Sequence, residues 1–236
     1  MTDTRQRAWP PLHDYRSSRA VLIGTWRYSS LPSLEAAKHS YRRMRRLLTG
    51  PLCGWPADRL LLMDNQSSAS EVHDQLITAF GPVNDVALFY YVGHGQLEDD
   101  ELCLALSGSR TEYTRRSATS LTFSAVRQAL LNSDATTKIV ILDCCFSGAA
   151  TQPRNTLAAA AAVAHESLPS RVAEQVYGTG AYTMVAAGAY GTAQYETDSP
   201  HPETYFTKYL ADLVERGMPG QPASLRLEPL FQQLRD

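Results

Sequence analysis

Apolar residues follow one another along this 236-residue chain in two rhythms, short unbroken runs and stripes at helical spacing. The runs are Arg19–Gly24, Asp58–Met63, Val86–Val92, Glu101–Leu106, Lys138–Cys144 and Tyr182–Ala187. They are rich in β-branched, aromatic and aliphatic residues and are bounded by glycine or polar clusters, so they predict buried strands. Helical periodicity fills the gaps. Ser33–Leu48 puts Leu34, Ala37, Tyr41, Met44 and Leu48 on one face and stops at Gly50-Pro51. Ser68–Phe80 opens with Ser68 and Glu71 at capping-box spacing. Phe123–Asn132, Thr204–Arg216 and Leu227–Leu234 complete the helices. Strands alternating with helices predict an α/β fold, a mostly parallel central sheet with helices on both faces. Residues 1–18 read as a loose leader, residues 19–236 as one domain, and the alanine-rich segment 149–180 as a flexible linker within it.

Two of the predicted strands end in glycine-containing turns. One carries Gly93-His94-Gly95, the other Asp143-Cys144-Cys145-Phe146-Ser147-Gly148. In an open α/β sheet, reactive groups gather just past the carboxyl ends of the strands. If these two strands are neighbours, an imidazole and a thiol face each other there, the minimal equipment of a cysteine hydrolase. Glycine on both sides of His94 would let a backbone N–H approach a ligand closely. Cys144 and Cys145 are adjacent, so a pleated strand sends only one of them to a given face.

Composition narrows the function classes. The hydrophobic fraction, 44%, suits one domain with a sizeable core. The balance of 22 basic and 24 acidic side chains, net charge -2, argues against a nucleic-acid partner. The dense basic run Arg42-Arg43 with Arg45-Arg46 reads as the solvated face of a helix. Residues Met1–Ala20 are polar and carry no secretory signal, and the uncharged stretch Thr156–Ala164 is too short for a bilayer, so no membrane association is expected. Four cysteines, at positions 53, 103, 144 and 145, show no Cys-x-x-Cys spacing, which fits reduced thiols and a cytoplasmic location.

His13, His39, His73, His165 and His201 have no partners at ligand spacing and read as surface residues, so no metal site and no cofactor are expected. The contiguous Glu98-Asp99-Asp100-Glu101 reads as an acidic turn. It lacks the alternating spacing of an EF-hand, and calcium activation has no support in the sequence. Gly178-Thr179-Gly180 lacks a third glycine and precedes a strand, unlike a dinucleotide loop.

Taken together, Tyr-Val-Gly-His94-Gly and Asp143-Cys144-Cys145-Phe146-Ser147-Gly148 resemble the paired motifs of the caspase-like cysteine peptidases, which include metacaspases and bacterial relatives. Cys145 lies 51 positions after His94, close to the caspase separation of about 50. The opening Ala-Val-Leu-Ile-Gly with Leu31-Pro32-Ser33-Leu34, and the closing Tyr205–Leu210, extend the likeness over residues 19–230.

The resemblance implies a caspase-like fold and a cysteine endopeptidase acting on a protein or peptide substrate. It selects Cys145 as nucleophile and His94 as its partner, with the backbone N–H groups of Gly95 and Cys145 as oxyanion hole. Asp143 would lie on the floor of a pocket for a basic P1 residue, with Glu196 at its border; read from sequence alone, Asp143 is also a candidate cap for the following turn or helix. The segment 149–180 would be an intersubunit-type linker, with Arg154 and Arg171 as candidate self-cleavage points. A role in bacterial defence or regulated cell death, together with a sensor or activator protein as partner, is implied in the same way. The chain departs from the family in two places. The strict caspase Gln-Ala before the cysteine is absent, and Ser40 stands where relatives often carry an acid. The competing reading is a catalytically silent adaptor of the same fold; retention of both His94 and Cys145 is the feature that argues against it.

Overall fold

The computed structural model describes residues 13–99, 101–144, 195–218, 230 and 233–234, together with the backbone of 145–146 and 181–185. Its sheet is organised around β3 (Val86–Glu98), which pairs in parallel with β1 (Arg19–Gly24) on one side and β6 (Thr137–Phe146) on the other. β2 (Leu60–Asp64) extends the sheet beyond β1, and β7 (Ala181–Val185) extends it beyond β6, both in parallel. The arrangement puts the carboxyl ends of all five strands at one edge.

The sheet is mixed rather than purely parallel. Where β1 stops at Gly24, the far half of β3 pairs antiparallel with β4 (Glu101–Leu104), and β4 pairs with the short β5 (Leu121–Thr122). This replacement explains a departure from expectation. The chain does not turn at Gly93-His94-Gly95; β3 continues to Glu98, because β4 supplies the ladder partner that β1 no longer offers. In the same way β6 carries its pairing through Cys145 to Phe146.

Strand alternation sorts the core into two layers. Val21, Ile23, Phe89, Tyr91, Val140, Leu142 and Cys144 face α2 (Ala69–Phe80) and α4 (Phe123–Leu131). Ala20, Leu22, Leu88, Tyr90, Val92, Ile139 and Ile141 face α1 (Glu35–Thr49) and α5 (Tyr205–Arg216). A four-residue helix, α3 (Arg116–Thr119), follows the 107–115 loop. The predicted helices therefore exist close to their expected bounds. Ser68 caps α2 by accepting the Glu71 N–H at 3.3 Å, as the capping pattern requires. Of the predicted helix at 227–234, the described residues Leu230, Gln233 and Leu234 are helical.

Residues 13–18, expected as part of a loose leader, are docked on the domain. Tyr15 stacks on Trp55 with ring centroids 4.1 Å apart and donates to the Cys53 carbonyl, while His13 Nε2 lies 2.6 Å from Asp85 Oδ2. The basic run on α1 is not wholly a solvated face either. Arg43 reaches across to Asp212 and Glu215 of α5 and ties the two helices together. Residues 1–12 and the predicted linker 149–180, with Arg154 and Arg171, lie outside the described residues.

Candidate active site

The β3–β6 register places His94 directly opposite Cys145. Neighbouring strands lie about 4.8 Å apart, so these two positions are adjacent across the sheet edge. Both share the strand phase of Tyr90 and Asp143, whose side chains meet on the α1/α5 layer. Cys144, in the opposite phase, is buried in the other layer among Val140 and Leu142.

His94 is held at both backbone groups by tyrosine hydroxyls. Its N–H donates to Tyr28 Oη at 2.9 Å, and Tyr28 in turn donates to the Thr25 carbonyl at 2.7 Å. The carbonyl of His94 accepts from Tyr91 Oη at 2.8 Å and from the Ala105 N–H at 2.9 Å. The two hydroxyls close on Gly93: a Cβ there would lie 2.6 Å from Tyr91 Oη and 2.7 Å from Tyr28 Oη. The glycine before the histidine is therefore needed for this clamp. The sequence offered it as a place for close approach by a ligand; in the fold the approaching atoms are the protein's own.

The imidazole is oriented from the loop that follows β1. His94 Nε2 lies 2.9 Å from the Pro32 carbonyl oxygen. A carbonyl can only accept, so Nε2 carries the hydrogen and Nδ1 is the basic nitrogen of the neutral ring. The Tyr28 ring packs beside the imidazole at 4.9 Å between centroids. Asn65, at the end of β2 with φ 48°, pins this loop through its side-chain oxygen, which accepts the N–H groups of Trp26 and Arg27 at 3.1 and 2.9 Å. Tyr28 and Asn65 were not singled out from the sequence; an exposed polar loop gives no periodic signal for them.

Asp143 is almost fully buried, at 1% exposure. Its Oδ2 accepts from Thr204 Oγ1 at 2.5 Å and Thr207 Oγ1 at 2.6 Å. The Thr207 N–H also bonds to it, so this strand residue caps the amino end of α5, whose own N-cap Thr204 makes no side-chain cap. A cap for the turn after β6 was the structural alternative in the sequence; the helix it serves lies some sixty residues further on. Ser40 Oγ lies 2.8 Å from Thr204 Oγ1 and accepts the Thr204 N–H at 2.9 Å, and Tyr90 Oη lies 2.8 Å from Thr207 Oγ1. Oδ1 of Asp143 is buried without a hydrogen-bond partner among the described residues. Burial pushes the carboxyl up to about 6, against the opposing pull of these hydrogen bonds.

Glu196 is engaged structurally. It pairs with Lys208 of α5, its Oε2 accepts the Glu203 N–H at 3.3 Å, and its own N–H donates to the Glu203 carbonyl. With the Tyr195–Thr204 bridge, these bonds close the loop that presents Thr204. Lys208 holds the Glu196 carboxyl below its ordinary range. The described residues of the acidic run at the β3–β4 turn are likewise engaged by the fold: Glu98 accepts from the Ser117 N–H, Asp99 from Tyr113 Oη and Glu101 from the Ser124 N–H. Among the described residues no three His, Cys, Asp or Glu side chains gather as a metal site. No described helix is long and apolar enough to cross a membrane.

Comparison with known proteins agrees with this architecture. The sequence matches the caspase-domain model of peptidase family C14 over residues 17–235. No individually curated protein matches it significantly. Among solved structures it is similar to caspase-1 from Spodoptera frugiperda, with a TM-score of 0.58 and 10% identity, over 92% of this chain and 76% of that one. At such low identity the likeness speaks for the fold, and the fold is the caspase fold. A family match spanning almost the whole chain, on a sheet that sets the Gly-His-Gly and Asp-Cys-Cys motifs side by side, leads to one conclusion: the chain belongs to the caspase-domain family of cysteine peptidases.

Proposed function

We propose that the chain is a cysteine endopeptidase that cuts after arginine or lysine with a Cys145–His94 dyad. The observation that carries this reading is the His94–Cys145 register, with the imidazole tautomer set by Pro32. His94 takes the thiol proton of Cys145, and the thiolate attacks the scissile carbonyl carbon. The oxyanion is received by the N–H groups of Gly95 and Cys145, each such donor worth about 3 kcal/mol of barrier. Collapse breaks the C–N bond, His94 delivers the proton to the leaving amine, and a thioester remains. Water then attacks the thioester, losing its proton to His94, and the sulfur departs with the acyl product released as an acid. Asp143, whose buried Oδ1 has no partner among the described residues, favours a basic P1 side chain, because a buried anionic acceptor is costly until a cation covers it. Bacterial defence or regulated cell death, with a sensor or activator as partner, is the setting that the family resemblance favours.

A peptide-library digest with wild type and Cys145→Ala tests the proposal. Cuts confined to the carboxyl side of arginine and lysine, and lost in Cys145→Ala, are expected. A wild type that cuts no peptide is the result that would remove the hydrolytic reading and leave the adaptor in its place.

A further inference from the structure

Two threonine hydroxyls hold the carboxylate of Asp143 and two further hydroxyls, of Ser40 and Tyr90, hold the threonines, and their hydrogen-bond geometry admits one direction. An ionised carboxylate only accepts, so both Thr204 and Thr207 give their protons to Oδ2. With those protons committed, the threonine oxygens act as acceptors toward their own neighbours. Tyr90 therefore donates to Thr207, and Ser40 donates to Thr204. Ser40 is itself positioned by the Thr204 N–H. The relay draws on four elements, α1, β3, β6 and the amino end of α5, and every member is buried. It saturates one carboxylate oxygen and leaves the other as an acceptor with no partner among the described residues.

We propose that Ser40, Tyr90, Thr204 and Thr207 are the specificity-setting residues of the P1 pocket, a one-way hydroxyl relay that keeps Asp143 ionised in a buried site so that Oδ1 receives the positively charged end of a lysine or arginine. The inference rests on the peptidase reading for its substrate and deepens it. A carboxylate buried without such donors takes up a proton and becomes a neutral group that no longer selects a cation. Here the hydroxyls and the Thr207 N–H act against burial, and among the described residues no charged neighbour contributes to the balance at Asp143. The relay also accounts for Ser40 in place of the acid that relatives often carry. A second carboxylate there would face Asp143 through Thr204, whereas a hydroxyl passes it a hydrogen bond.

The titratable groups packed around the relay are Tyr90 and Tyr41, both raised by burial, and Glu203, also raised by burial and offset by Arg43, Arg46 and Lys208. The test therefore measures binding rather than turnover, in Cys145→Ala protein. Matched peptides ending in arginine or in its neutral isostere citrulline are titrated by calorimetry between pH 5 and 8. The arginine peptide is expected to bind more tightly, with an acid limb that the citrulline peptide lacks. Adding Thr207→Val or Thr204→Val should move that limb up by about one pH unit, since one donor to the ionised form is lost. Thr207→Ser and Glu203→Gln should leave it in place. Two threonine variants guard against one failing to fold. An unmoved limb in both valine variants, or an equal shift in Thr207→Ser, would overturn the relay while leaving hydrolysis by wild type intact. Equal affinity for the two peptides would overturn both the relay and the basic P1 pocket. Absence of cleavage by wild type strikes only the hydrolytic reading, and the affinities still decide the relay.

Discussion

Tyr28 illustrates how much the placement of one imidazole depends on the residues packed around it. Its hydroxyl joins the His94 N–H to the Thr25 carbonyl, and its ring lies against the imidazole. Tyr28→Phe keeps the ring and orphans the N–H, a loss on the order of 1–3 kcal/mol for a buried donor. Because the loss falls on the orientation of the proposed base, kcat is expected to drop about tenfold with KM little changed. Steady-state kinetics on a basic P1 reporter, with the melting temperature followed alongside, checks this; a raised KM at unchanged kcat would assign Tyr28 to substrate binding instead. Gly93 belongs to the same clamp, since any side chain there collides with both tyrosine hydroxyls.

At the level of elements, the α5–β6 junction buries a carboxylate at a cost in stability. Asp143 caps α5 from a neighbouring strand, which favours an anion at the helix amino end. Burial nevertheless lifts its carboxyl from 3.8 to about 6. The folded state thus holds this proton more tightly than the unfolded chain. The stabilising contribution is full below about pH 4, is lost as pH rises through 6, and leaves a cost on the order of 3 kcal/mol above that. Asp143→Asn keeps an acceptor for the threonine hydroxyls and removes the charge. Its unfolding free energy relative to wild type should therefore grow between pH 4 and 7, measured by denaturant melts at each pH. A difference that stays flat across that range would contradict the assignment. The gain in stability should come with loss of basic P1 selection, because the cation's partner is gone.

For the whole molecule, β6 and β7 are parallel neighbours in the sheet, and the sequence between them contains Arg154 and Arg171. If the chain cuts after basic residues as proposed, self-cleavage at those arginines is expected, and it should vanish in Cys145→Ala; intact mass after incubation reads it directly. Identical masses for the two proteins, apart from the substitution, would refute it.

The layers and the helices were legible in the chain because burial on a two- or 3.6-residue period is a local signal, carried by runs such as Val86–Val92 and stripes such as Leu34–Leu48. The pairing of His94 with Cys145 was legible for the same reason: each motif follows a recognisable apolar run, and parallel neighbours carry the ends of those runs to the same edge, although both strands continue past them. Other features were decided only by tertiary structure. The antiparallel continuation of β3 depends on β4 arriving where β1 leaves. The pinning of Pro32 over His94 depends on Asn65 and Tyr28 from separate loops. The relay joins Ser40 to Thr204 and Asp143 to Thr207 across 164 and 64 positions of chain. A hydroxyl's partner is chosen by three-dimensional approach, and no periodicity along the sequence records it.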